Sequence, residues 1–114
     1  MVKRDILILQ YSEKLKSELI IGLKLIKALE NLKNKEFEGG TKIVAEFFEA
    51  FSVEVGIAYN VTKDENFKKV YDIIKEIDFL DVDNAIDKLS KALSIVTTCA
   101  ANAYERLKNS NIDY

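Results

Sequence analysis

Residues 86–107 read IDKLSKALSIVTTCAANAYERL. Within that stretch Ile86, Leu89, Leu93, Val96, Ala100, Ala103 and Leu107 recur at alternating spacings of three and four. An α-helix turns once every 3.6 residues, so this series lines one face. Sustained over three heptads, it is the a/d seam of a helix packed against other helices. Ala85, Ala92 and Cys99 hold one constant heptad position beside the seam, where small side chains let a neighbouring helix approach closely. Asp81 or Asp83 supplies an N-cap, with acidic side chains at the positive end of the helix dipole.

The same period recurs upstream. Ile8, Tyr11, Leu15, Leu19, Leu23, Ile26 and Leu29 predict a first helix over Lys3–Leu32, with Leu25 and Leu32 widening the stripe. Glu13, Lys16, Lys24, Lys27 and Asn31 mark its polar face, on which Ile6, Leu9 and Ile20 also fall. The pair Gly39-Gly40 permits positive φ and predicts a sharp reversal. Thr41 then caps a second helix to about Tyr59, with Val44, Phe48, Phe51, Val55 and Ala58 as its seam. Thr62-Lys63-Asp64-Glu65 matches a capping box, opening a third helix to about Asp78 through Phe67, Val70, Tyr71, Ile74 and Ile77. No window alternates with period two. The expected fold is all-α, one domain over residues 1–114: an up-down four-helix bundle with long first and fourth helices and shorter second and third ones.

Composition supports a packed core and narrows the chemistry. The 114 residues are 48% hydrophobic and 32% charged, with a net charge of only −2, the opposite of a disordered composition. A single cysteine precludes an internal disulfide. The absence of histidine removes the commonest metal ligand and general base. Di-metal bundles use Glu-x-x-His pairs, so Glu46, Glu49 and Glu54 read as a solvated face. Cys99 reads as a small buried hydrophobe, and Tyr11, Tyr59, Tyr71 and Tyr104 as core-margin residues. Gly39-Gly40 lacks the strand, third glycine and lysine of a phosphate-binding loop. These features predict no catalytic residue, no metal and no cofactor. The apolar run Ile6–Leu9 is too short for a signal peptide, and no stretch matches a membrane span, which predicts a cytoplasmic protein.

The helix lengths, roughly 42, 28, 21 and 39 Å at 1.5 Å per residue, leave the tips of the two long helices without cover from the short pair. Ile6-Leu7-Ile8-Leu9 and Ala100, Ala103, Tyr104 and Leu107 lie there. Exposed apolar tips predict an interface. The expectation is a non-enzymatic interaction or assembly protein, a homodimer or a subunit of a larger complex, with Ile6, Leu9, Ile20, Tyr104 and Leu107 as contacts. The alternative is a helical subunit of a nucleic-acid-handling complex. Residues 1–35 carry eight basic and four acidic side chains, and Lys16, Lys24 and Lys27 share one face toward phosphates. Interleaved acids, a total of two arginines and the lack of an aromatic ladder weigh against it.

Overall fold

The computed structural model describes residues 2–110 and contains four helices among them: α1 (Val2–Leu29), α2 (Asn34–Thr62), α3 (Glu65–Lys75) and α4 (Val82–Asn109). They form the expected all-α bundle. Each helix packs on two others in the order α1–α2–α3–α4–α1, in a body of 55 × 22 × 17 Å. The up-down course follows from the contacts. Arg4 Nε donates to the Thr62 carbonyl at 2.8 Å, and Lys14 meets Glu54 at 3.6 Å. Asp5 holds Arg106 at 2.7 Å, so α1 also runs antiparallel to α4.

The α1–α4 contact is the most extensive in the molecule. Ala85, Ala92, Cys99 and Ala103 are all buried on α4, and Ser12 is buried opposite Cys99 on α1. Small side chains on both helices bring the backbones together. Larger residues fill the centre: Phe48, Phe51, Phe67, Ile8, Leu15, Leu19, Ile26, Leu89 and Leu107 are fully enclosed. Each contributes about 1.5–3 kcal/mol by leaving water. Where α3 stops short, the loop before α4 completes the core. Phe79 stacks on Phe48 with ring centroids 5.2 Å apart.

Several boundaries differ from the sequence expectation. The first reversal does not use the glycine pair. No glycine has positive φ; Asn34 takes that conformation, at φ 55°. Asparagine is the non-glycine residue best suited to it. The segment 34–40 is therefore the first two turns of α2, and Gly40 brings the backbone against Leu29 and Leu32 of the chain it has just left. The capping box also resolves otherwise. Thr62 ends α2, its hydroxyl donating to the Ala58 carbonyl at 2.7 Å and accepting from the Asp64 amide at 3.2 Å. Asp64 is the N-cap of α3 and accepts from the Asn66 amide at 2.9 Å. At α4 the cap is Asp81, which accepts from the Asn84 amide at 3.1 Å.

The longer α2 removes the overhang. At 29 residues it matches the 28 of α1 and of α4, leaving α3, at 11 residues, as the single short helix. Its C-terminus reaches Arg4, so the α1 tip has a neighbour. Ile8 and Leu9 are buried inside one chain, and Ile6 packs half-buried against the core. Leu9 at 4% and Leu107 at 1% exposure are core residues, correcting their expected place at a contact surface.

Candidate interaction surface

The remaining contact candidates, Ile20 and Tyr104, are exposed at 40% and 49%. Tyr104 flanks a shallow α1–α4 groove of about 370 Å³ with Leu9, Glu13, Lys16, Thr97, Ala100 and Ala101. Ile20 lies one helical turn beyond Lys16, on the same side of α1. The structure thus brings Ile20 and Tyr104 to one side of the bundle, where mostly polar and small residues surround Tyr104. Lys16 is engaged by Glu13 at 3.5 Å, while Lys24 and Lys27 are exposed on α1.

A larger apolar surface lies on the outside of the α1–α2 hairpin. On α1 it follows Leu7, Tyr11, Lys14, Glu18, Ile21 and Leu25, at spacings 4-3-4-3-4. On α2 it follows Ile43, Phe47, Ala50, Glu54, Ile57 and Val61, at the same spacings. Each helix therefore carries a second stripe, rotated about a quarter-turn from its core seam. The core seam is satisfied within the bundle; this second stripe is not. Ile43 is 74% exposed, Ile21 50%, Ile57 48% and Val61 49%, with Val53 exposed alongside. Two shallow depressions of about 170 Å³ each lie along the stripe, one around Tyr11, Lys14, Glu54 and Ile57 and one around Leu7, Gln10, Tyr11 and Lys14.

Charge on this face is confined to its middle. Lys14 bridges to Glu54 across the hairpin at 3.6 Å. Glu18, one turn above Lys14, stands beside the same Glu54. Burial first, then hydrogen bonding and like charge at Glu54, push the Glu18 carboxyl up to about 7, with Lys14 opposing. Glu54 Oε2 is enclosed and has no hydrogen-bond partner among the described residues. Glu54 thus sits half-buried beside Lys14 and Glu18 and not on the solvated face expected of it, whereas Glu46 and Glu49 are exposed.

Sequence reasoning missed this surface because charges interrupt each apolar series at its midpoint, Lys14 and Glu18 on α1 and Glu54 on α2. The available signal was α1's weak segregation of apolar from polar residues, the poorest of the four helices. A helix with one buried face is strongly amphipathic; one with two apolar stripes is not.

Other chemistry-bearing residues are held in structural roles. Cys99 is buried, and burial pushes its thiol up, away from the reactive thiolate. Tyr59 and Tyr71 line an α2–α3 groove of about 290 Å³ with Gly56, Asn60 and Lys68. Lys63 and Lys75 lie 5.4 and 5.5 Å from the centres of those rings. Among the described residues no three Asp, Glu or Cys side chains converge as a metal site would need, and no helix is long and apolar enough to cross a membrane. No family model matches the chain, and neither the curated proteins nor the solved structures hold a significant match to it.

Proposed function

We propose that this chain is a small non-enzymatic interaction and assembly protein of the cytoplasm, acting as a homodimer or as a subunit of a larger complex. One observation carries this: the second apolar stripe of the α1–α2 hairpin, present on two adjacent helices, broken by charges only at its middle and left open by the bundle's own packing. Isolated exposed aliphatics need no explanation, whereas two parallel rows of them describe a docking surface. Full burial of such a side chain is worth about 1.5–3 kcal/mol, and Ile43 at 74% exposure forgoes most of it, Ile57 and Val61 at 48% and 49% about half. A contact with another polypeptide recovers part of it.

The experiment is affinity capture from native lysate, together with self-association of the purified chain, comparing wild type with Ile57→Glu and Ile20→Glu. The proposal expects a polypeptide contact, to itself or to another chain, that Ile57→Glu abolishes and Ile20→Glu preserves. A wild-type chain that neither self-associates nor retains any polypeptide contradicts it. The nucleic-acid alternative rests on Lys16, Lys24 and Lys27. Neutralisation of Lys16 by Glu13 leaves that stripe the weaker basis.

A further inference from the structure

The α1–α2 face has a pattern that bears on what covers it. On α1 the stripe reads apolar, apolar, charged, charged, apolar, apolar about a midpoint between Lys14 and Glu18. On α2 the corresponding midpoint lies between Ala50 and Glu54. The Lys14–Glu54 bridge places the two midpoints at the same height on the bundle. The face is thus symmetric end to end: an apolar patch above, an apolar patch below and the charges between them.

A surface with that symmetry complements an inverted copy of itself. A two-fold axis lying in the interface, across the helices at their midpoints, lays α1 on α1 and α2 on α2. It sets the upper patch of one copy on the lower patch of the other. It also sets the Lys14 height of each α1 against the Glu18 height of the other; the facing ammonium favours the Glu18 carboxylate, so opposite charges meet twice. The size suits a stable contact. A face roughly 35 Å long and 20 Å wide presents about 700 Å² per copy, close to the ~800 Å² that each partner contributes to a standard interface.

We propose that the partner of this face is a second copy of the same chain, packed antiparallel, with Lys14 of each copy paired to Glu18 of the other. This deepens the assembly function proposed above and rests on it. Charges at the centre of an otherwise apolar helix interface fix register, because any slip strands them against aliphatic side chains. Here a slip of one turn would bring Lys14 or Glu18 against Tyr11 or Ile21.

Sedimentation equilibrium of the full chain at up to about 100 µM tests the pairing, with helicity of each variant checked by circular dichroism. Wild type sediments as a dimer. Ile57→Glu is monomeric, and Ile20→Glu, on the other side of α1, remains dimeric. Lys14→Glu weakens association about 10-fold or more, and adding Glu18→Lys to it restores association to within about 3-fold, because the swapped charges meet again in the antiparallel register. A spin label at Glu38 gives an interprotomer distance of roughly 45 Å in this arrangement, against roughly 20 Å if the copies lie parallel. A monomeric wild type overturns the proposal, as does a double variant as weak as Lys14→Glu alone or a short label distance. A dimer lost in Ile20→Glu but kept in Ile57→Glu overturns it too, while leaving an assembly function standing through the α1–α4 side.

Discussion

Glu18 and Gly22 lie one turn apart on α1 and face opposite demands. Glu18 is held by the fold in a form that prefers its proton. A carboxyl raised from 4.5 to about 7 binds that proton more tightly folded than unfolded. Its contribution to stability is therefore complete below pH 4.5 and is lost as pH rises through 7. Glu18→Gln keeps the neutral form at every pH. In urea denaturation of the dilute, monomeric chain it should be more stable than wild type at pH 8 by on the order of 1 kcal/mol, discounted for partial exposure, and indistinguishable at pH 4. Gly22 is needed for space. A Cβ there would stand 2.4 Å from Cζ of Phe48, which Phe47, Phe51 and Phe79 hold in place. Gly22→Ala gains helix propensity but overpacks a fully buried ring. A net loss of about 1–3 kcal/mol is expected in the same denaturation assay.

Among the elements, α2 decides the architecture and is the one whose start the sequence obscures. If Gly39 were a turn glycine, alanine would be harmful there. It is instead a helical residue with nothing within 4 Å of an added Cβ. Gly39→Ala should raise stability by about 0.5–1 kcal/mol, seen as a higher melting temperature, by removing backbone freedom from the unfolded chain. A loss of stability would show that the reversal lies at the glycines after all. The contrast with α4 explains what was legible. Seven seam residues of α4 reinforce one another over 22 positions, and Asp81 marks its start, so pattern and cap agree. At α2 the local cue, two glycines in a row, opposes the tertiary one, the fit of Gly40 beneath Leu29 and Leu32. Packing prevails, and packing is not visible in spacing. The consequence reaches the surface: the C-terminus of a long α2 covers the α1 tip, Leu9 lies enclosed beside Thr97, Ala100 and Ala101 of α4, and Ile43, Ile57 and Val61 are the face without cover.

For the whole molecule, the bundle buries one stripe of each helix and leaves a second, charge-centred stripe on the α1–α2 side. A concentration series of backbone amide spectra, from about 500 µM to about 10 µM, tests most directly whether that stripe is the assembly surface. Resonances of Glu18, Ile21, Ala50 and Ile57 should move with concentration, while those of Thr97, Ala101 and Tyr104 stay in place. Movement confined to the second group would assign contact to the α1–α4 groove and contradict the account.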